Sequence, residues 1–412
     1  MNVWAFPSFY PYDYPGLKWA GIFAHRQFKG LIANGAELAV IQPVYWRPAS
    51  PFTRFNKDWE KSAKLNYPAK RVYDGITVYH PGIANLKPAS IFRKTYKQRY
   101  IDSIVNFFKK GDIQLDPAKD IFYSQWLPDA FMVQEAAEIL GVKSAVLVIG
   151  DDVLVWPHDN NERLQWFKDV LQNADQRFTV ATYLGVEANK LLDKKLPFET
   201  IRRGVNYDFF KEVPAAEKEL LKKEWNIPSG KIIILTIGSA IVRKGWLDLF
   251  DALMHIKKTN DQFILAAAHA GPVELNLDDE AAKRGLTAHF MNLGEVDPKQ
   301  VNRLYNIADI FCLPSHWEGI ANCVVEAMSS GLPVITTNVC GHPELIRNNE
   351  TGIMVPPKQP GILSAALAAL MSSEEKRNYL GANAKNFIVQ EWGNFSDNAE
   401  KLYQKLEQTL RE

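Results

Sequence analysis

Three cysteines in 412 residues, Cys312, Cys323 and Cys340, are too few and too scattered for a disulfide framework or a thiolate metal site. An odd, dispersed set fits a reducing compartment, and Cys312 and Cys323 read as core fillers. Long apolar runs are missing too: no stretch approaches the roughly 18 residues that a membrane-crossing helix needs. The opening residues, Met1-Asn2-Val3-Trp4-Ala5-Phe6-Pro7, have no charged leader and no extended apolar segment, so no signal peptide is expected. There is no short-period repeat and no low-complexity tract. No Asp-x-Asp pair stands in a loop suited to a metal: Asp151-Asp152 are adjacent, and Asp278-Asp279 read as part of a polar linker. Neither a required metal nor another cofactor is expected. The formal net charge of +1 excludes a nucleic-acid binder that relies on the field of the whole molecule.

What is present is enough chain for two domains, with 47% hydrophobic residues to fill their cores. The charge is unevenly spread. Residues 44–110 hold fourteen Lys/Arg and four Asp/Glu in a chain whose total is only +1, which points to an anionic partner at one face. Within this region, residues 91–110 read as a helix. Phe92, Tyr96, Tyr100, Ile104 and Phe108 recur at four-residue spacing, with Arg93, Lys94, Lys97, Arg99, Lys109 and Lys110 around them. Such a helix can lie on an anionic membrane. The same pattern also suits packing against a sheet.

Strands and helices alternate from the start. Val3–Phe6 is a short buried strand, a helix runs from Ile22 to Asn34, and Leu38–Ile41 is the next strand. This β–α–β order predicts a parallel sheet. Ile76–Tyr79, Ile121–Tyr123, Ala145–Ile149 and Val180–Thr182 continue it, the last leading to a helix from about Gly185. Residues 196–214 read as an interdomain connection. A second series follows, with strands Ile232–Ile237, Phe263–Ala268, His289–Leu293, Ile310–Leu313 and Val334–Thr337. A final amphipathic helix spans Ser396–Leu410. The expected class is α/β, two doubly wound Rossmann-like domains. The boundaries are 1–200, with a helix at 395–412 packing back on it, and 201–394.

The densest chemistry lies at residues 314–335. The strand Ile310–Leu313 ends at Pro314, and a loop carries His316 and Glu318. A helix begins near Asn322, read as its N-cap, and carries Glu326; Gly331 closes it before the next strand. Glu318 therefore stands at the C-terminal edge of a parallel sheet, where such sheets bind ligands. Backbone N–H groups at the helix start suit a phosphate or a sugar hydroxyl.

The string Glu318-Gly319, Glu326 and Gly331-Leu332-Pro333-Val334 resembles the donor-site signature of retaining nucleotide-sugar glycosyltransferases, family four, which have the GT-B fold. Other segments agree in order: Ile201–Phe210, Gly238–Gly245, Leu293–Val296, Leu304–Ile310 and Thr351–Pro357. The match is clear over roughly 201–390 and looser in the N-terminal half, through Gly21-Ile22-Phe23, Asp120–Pro128, and Gly150 with Asp152.

The resemblance implies two domains facing a cleft, a donor held mainly by the C-terminal domain, an acceptor held by the N-terminal one, and domain closure that expels water. Lys244 matches the phosphate lysine, with Arg243 beside it. The arginine usual on that loop falls at Ser239, so Arg243 or Arg203 would have to replace it. Glu326 would accept from ribose hydroxyls, and Glu318 from a donor-sugar hydroxyl. Gly238, Gly294, Glu295, His316, Gly319, Ile320, Ala321, Asn322 and Cys323 complete the implied donor site. Gly21 would let the backbone approach the diphosphate. The histidine common in relatives near 149–152 is replaced by Ile149. Asp152 matches the family aspartate and is expected to act catalytically beside Lys244, Arg243 and Glu318.

Gln125, Trp126 and Asp151 are expected on the acceptor side, with packing or capping as the alternatives. His25 is weighed as a base and read instead as a helix-surface residue. The expected activity is retaining transfer of a sugar from a nucleotide diphosphate sugar to a glycan, lipid-linked or small-molecule acceptor. Cell-surface polysaccharide or glycoconjugate synthesis is its expected setting. The expected location is cytoplasmic, with peripheral membrane contact through 91–110. Two alternatives stay open: an inverting transferase or epimerase of the same fold, and a non-catalytic sugar- or nucleotide-binding partner of a glycan-assembly complex, which the departures at Ser239 and Ile149 motivate.

Overall fold

The computed structural model describes residues 1–12, 21–45, 67–83, 95–111, 113–228, 230–269 and 271–412. Its chain forms two compact units, Met1–Arg203 with Ser396–Glu412, and Gly204–Phe395. Most basic residues of the 44–110 excess, together with Phe92, Arg93 and Lys94, lie outside the described residues.

Unit 1 is built on a sheet that has eight strands among the described residues. Their spatial order is Glu199–Thr200, Gln176–Thr179, Lys143–Val148, Asp120–Gln125, Asn2–Pro7, Glu37–Ile41, Ile76–Tyr79 and Lys70–Tyr73. All pair in parallel except the last, which runs antiparallel to Ile76–Tyr79. The strand expected at Val180–Thr182 lies at Gln176–Thr179, and Thr182 instead opens the next helix. Gln176 and Arg177 are half-buried, so this strand begins without the apolar run that marks its neighbours.

The amphipathic helix of this unit spans Tyr96–Lys110. Thr95 caps it through a reciprocal bond pair with Gln98. Tyr100, Ile104 and Phe108 are buried, and Phe108 meets Trp4 of the sheet edge-to-face at 4.9 Å. Packing on the sheet thus takes up these three side chains, which are not offered to a membrane. Lys97 pairs with Glu135 of the next helix at 2.5 Å.

The last helix, Phe395–Arg411, serves unit 1. Leu402 and Leu406 are buried along one side of it, and Lys405 and Lys401 reach Glu199 and the Thr200 carbonyl.

Unit 2 has, among the described residues, a six-stranded parallel sheet in the order Phe290–Gly294, Phe263–Ala268, Ile232–Ile237, Ile310–Leu313, Val334–Thr337, Ile353–Val355. Its central strands are covered on both faces by helices, which explains their continuous Ile, Leu and Val runs. From Ile232–Ile237 the chain first adds a strand on one side and later crosses to Ile310–Leu313 on the other. The loops after these two strands therefore flank the topological switch point, the crevice where open α/β sheets take ligands. In unit 1 the corresponding switch lies between Asn2–Pro7 and Asp120–Gln125. Asp278 and Asp279, read from sequence as a linker, sit in the first turn of the helix Leu277–Lys283, capped by Asn276.

Candidate functional site

At the unit 2 switch point, the loop 238–245 and the loop 314–321 are locked together by their backbones. Gly245 has φ +75° and opens the helix Trp246–Lys257. A Cβ on Gly245 would stand 2.0 Å from the Pro314 carbonyl oxygen, so both the dihedral and the space require glycine. The His316 N–H donates to the Arg243 carbonyl at 2.7 Å, and the buried Trp246 indole donates to the Ser239 carbonyl at 2.8 Å.

This frame brings Lys244, Arg243 and Glu318 together. The Lys244 Nζ lies 2.5 Å from the Glu318 Oε2, and the Arg243 Nη1 lies 3.7 Å from the same oxygen. Burial pushes the Glu318 carboxyl up, but Lys244 and then Arg243 outweigh it and hold it below the usual carboxylate range. The Arg243 guanidinium also approaches the Trp317 ring, at 6.0 Å from its centroid.

The helix after this loop spans Asn322–Ser329. Its N-cap is Ala321, not Asn322, and no side chain caps it. Asn322 is the first helical residue; the Val324 N–H closes back on the Ala321 carbonyl at 3.0 Å, and the Asn322 and Cys323 N–H groups are the ones left to a ligand or to water. Glu326 accepts from the Tyr305 hydroxyl at 2.9 Å, which fixes its carboxylate. Gly294, at φ +60°, and the exposed Glu295 lie at the end of the outermost strand of this sheet. His316, expected at the donor, is held by Asp248 at 2.7 Å, pinning its loop to the helix Trp246–Lys257.

A third loop, unflagged by the sequence, completes the site. Gly341 would place a Cβ 2.0 Å from the Gly319 carbonyl oxygen, and its N–H faces the Glu318 carbonyl at 3.5 Å. Cys340, just before it, has φ +48°, unusual for a residue with a side chain. His342 is fully buried. Its Nδ1 lies 3.0 Å from the Thr337 carbonyl, which can only accept, so Nδ1 carries the proton. Burial keeps the ring neutral, against the pull of Glu318. Its Nε2 has no hydrogen-bond partner among the described residues.

In unit 1, Gly21 caps the first helix at φ +71°, and a Cβ there would stand 2.1 Å from the Phe9 carbonyl oxygen. Trp126 is held at φ +77° at the end of its strand, with its ring 5.5 Å from Phe9. Positive φ at a tryptophan is strained backbone. Gln125 is turned inward, donating to the Gln27 Oε1 at 2.6 Å. It therefore corrects the expectation of a side chain offered to an acceptor.

Asp152 is corrected as well. It is fully buried and accepts from the backbone N–H groups of Gly150 at 2.7 Å, Ile149 at 3.1 Å and Leu127 at 3.4 Å. Its carboxylate ties two loops together through these backbone donors. Asp151 is half-buried in the same short helix, Asp151–Leu154. Arg203 lies in unit 1, its guanidinium 5.6 Å from the Phe23 centroid. His25, expected on a surface, is buried with both ring nitrogens engaged: Nδ1 with the Tyr10 hydroxyl at 2.7 Å and Nε2 with Asp74 at 3.0 Å. It is no poised base. Among the described residues, no group of three His, Cys, Asp or Glu side chains could hold a metal ion, and no helix is long and apolar enough to cross a membrane.

Comparison with known proteins places this geometry. The family model described as glycosyl transferases group 1 matches residues 217–387, nearly all of unit 2. A Bacillus subtilis (strain 168) protein named for teichuronic acid biosynthesis, the glycosyltransferase TuaC, is 26% identical over 370 residues, 89% of this chain and 88% of that relative. A GDP-mannose-dependent alpha-(1-6)-phosphatidylinositol monomannoside mannosyltransferase of Mycobacterium tuberculosis is 27% identical over 201 residues, 47% of this chain and 52% of the relative. Among solved structures, that of Anabaena HepE in complex with UDP-glucose superimposes with a TM-score of 0.74 at 14% identity, over 99% of this chain and 100% of that one. At that identity the likeness speaks for the fold. The chain is a glycosyltransferase with the GT-B fold, and its residues 217–387 match the family model of glycosyl transferases group 1.

Proposed function

We propose that the switch point of unit 2 takes a nucleotide diphosphate sugar and that the chain transfers the sugar, with retention of configuration, to an acceptor taken by unit 1. The observation that carries this is the half-buried Lys244–Glu318–Arg243 cluster beside an uncapped helix start. A diphosphate leaving group needs fixed donors and cations, and both stand together here. Lys244 and Arg243 neutralise the diphosphate. The backbone amides of the helix approach and start, from Ile320 to Cys323, donate to it or to the sugar. Glu318, released from Lys244, accepts from a sugar hydroxyl. Glu326, oriented by Tyr305, accepts from the ribose diol. Backbone groups around Gly294 and Glu295 meet the base. Gly238 and Ser239 line the phosphate loop.

Two relatives carry names that set this reading in glycoconjugate synthesis, teichuronic acid in one and a phosphatidylinositol mannoside in the other. A glycan or lipid-linked acceptor follows by analogy. The proposed location is the cytoplasmic face of a membrane. The basic excess of residues 44–110 would dock there by charge, without insertion of the packed helix Tyr96–Lys110. Co-sedimentation with anionic vesicles at low salt, lost at high salt, is the expected result; no binding at low salt removes this part.

The main test is turnover of a panel of UDP-, GDP- and ADP-sugars, with the anomeric configuration of the product read by NMR. One donor class should be turned over with retention. An inverted linkage removes the retaining assignment. The absence of both transfer and slow hydrolysis across the panel favours a non-catalytic sugar-binding partner, which Ser239 in place of an arginine would fit.

A further inference from the structure

Arg71 lies in the antiparallel edge strand of unit 1 and stands opposite Val78. Its surroundings come from the ends of three neighbouring parallel strands: Tyr10, Pro11 and Tyr12 follow the first, Gln42 follows the second, and His80 follows Ile76–Tyr79. This is the C-terminal edge of the sheet, the ligand-binding edge of such folds. Of the residues expected at the donor, Gly21 stands beside it, where a Cβ would lie 3.1 Å from the Tyr10 Cα; the Lys244–Glu318–Arg243 cluster belongs to the other unit.

The guanidinium is framed by aromatic rings. Its carbon lies 5.0 Å from the Tyr12 centroid, 5.8 Å from that of Tyr73 and 5.9 Å from that of Tyr10. Two of its five N–H groups are used: Nε donates to the His80 Nε2 at 3.2 Å, and Nη2 to the Pro11 carbonyl at 2.8 Å. The end-on fork made by Nη1 and the second Nη2 hydrogen has no partner among the described residues. None of their carboxylates pairs with this guanidinium. Asp74, close in sequence, is engaged by His25 and Lys29.

The frame is also rigid. Tyr10 is fixed through His25 to Asp74. His80 is fixed through its Nδ1 to the Gln42 carbonyl at 3.1 Å, which leaves its Nε2 lone pair for Arg71. The guanidinium therefore cannot swing away to solvent without breaking both bonds. Burial lowers its pKa and the tyrosines offset this only in part. Cation–π contact of roughly 0.5–2 kcal/mol per ring accounts for the rings but leaves the charge without a counterion among the described residues. A half-buried guanidinium fork, pre-aimed and facing no carboxylate there, is a receptor for a planar or tetrahedral oxyanion.

We propose that Arg71, in its frame of Tyr10, Tyr12, Tyr73 and His80, is a subsite for an anionic group, phosphate or carboxylate, carried by the acceptor. The acceptor assignment rests on the transferase reading; the anion site itself does not. The test is NMR of full-length protein labelled with 15N-arginine, with the Arg71 Nε–H signal assigned by its loss in Arg71→Gln. Methyl phosphate, methyl glucuronide and neutral methyl glucoside are titrated separately, in the Lys244→Met background so that the donor cations do not compete.

The Arg71 signal should move saturably with methyl phosphate, with methyl glucuronide or with both, and not with methyl glucoside. Movement with methyl phosphate alone names a phosphate-bearing acceptor; movement with methyl glucuronide alone names a uronic acid. Binding of the active probe, read in both proteins by ligand-observed saturation-transfer NMR, should weaken about tenfold or more in Arg71→Gln. An Arg71 signal unmoved by both anions, or moved equally by methyl glucoside, overturns the proposal. A chain that turns over no donor sugar yet shows this response would sink the transferase reading and leave the site standing.

Discussion

If Lys244 is to hold a diphosphate, its contact with Glu318 has to give way, and that makes Glu318→Gln informative in two directions. The two side chains meet at 2.5 Å, 11% and 13% exposed, and Arg243 stands 3.7 Å from the same carboxylate oxygen. Glu318 is held below the usual carboxylate range, so it is ionised at neutral pH. A carboxylate about 5 Å from a phosphate charge repels it by roughly 3 kcal/mol at an effective dielectric of about 20. Solvent entering with the ligand reduces this, leaving about 1–2 kcal/mol. Glu318→Gln should therefore bind the free nucleoside diphosphate about 5- to 30-fold more tightly than the wild type.

Transfer should fall in the same variant by about 10- to 100-fold, because an amide oxygen is a weaker acceptor for the sugar hydroxyl than a carboxylate. Two cations left without their anion should cost about 1–3 kcal/mol of stability. Calorimetry with whichever of UDP, GDP or ADP binds the wild type reads the first effect, and product formation reads the second. A folded Glu318→Gln protein that binds the diphosphate more weakly than the wild type would refute the competition between Glu318 and phosphate for Lys244.

Four further outcomes are expected. Gly245→Ala and Gly341→Ala each drive a Cβ to 2.0 Å from a backbone oxygen. Each should cost about 2–4 kcal/mol in urea unfolding, and normal stability would show that the loops can separate. Cys340→Gly relieves a side chain at φ +48° and should raise stability by about 1 kcal/mol. A lower Tm would mean that the Cys340 side chain contributes more than the strain costs. Burial lowers the His80 pKa from 6.5 to about 4. The unfolded chain then binds the extra proton between these values, so the stability is fully present above about pH 6.5 and is lost as pH falls towards 4. The loss should reach about 3 kcal/mol in the wild type and be absent from His80→Asn, measured as the pH dependence of unfolding. Lys244→Met should abolish detectable nucleoside diphosphate binding, and unchanged affinity would move the phosphate site elsewhere.

The strands of unit 2 were legible because burial on both faces writes an unbroken apolar run. Ile232–Ile237, Phe263–Ala268, Ile310–Leu313 and Val334–Thr337 have the bounds that their side chains suggest. Edge strands escape that logic. Lys70–Tyr73 and Glu199–Thr200 are short and half-exposed, so periodicity has little to act on. The pairing of Lys244 with Glu318 was implied by a motif, but the reason for it was not. It depends on Gly245 and Gly341 admitting backbone oxygens, which are invisible until the loops are brought together. His316 and Asp152 differ from expectation for one shared reason. Each looks like a reactive group in one dimension, and each is engaged by a long-range contact or a backbone clamp in three. His25, read as a surface residue, is buried because Tyr10 and Asp74, distant in sequence, take up its ring nitrogens. Arg71 was one basic residue among fourteen. Its neighbours Tyr10, Tyr12 and His80 are separated from it by chain that no local pattern spans.

The helix Phe395–Arg411 belongs to the unit whose other residues all precede unit 2, so it is made after unit 2 is finished. Until residues 396–412 have emerged, the seat of Leu402 and Leu406 stands open and Glu199 lacks Lys405. Unit 2, one unbroken segment from Gly204 to Phe395, can close first. The order of synthesis is thus reversed in the order of completion. The earlier-made half waits for the later-made helix, with an apolar groove that a chaperone, or a second nascent chain, could occupy in the interval.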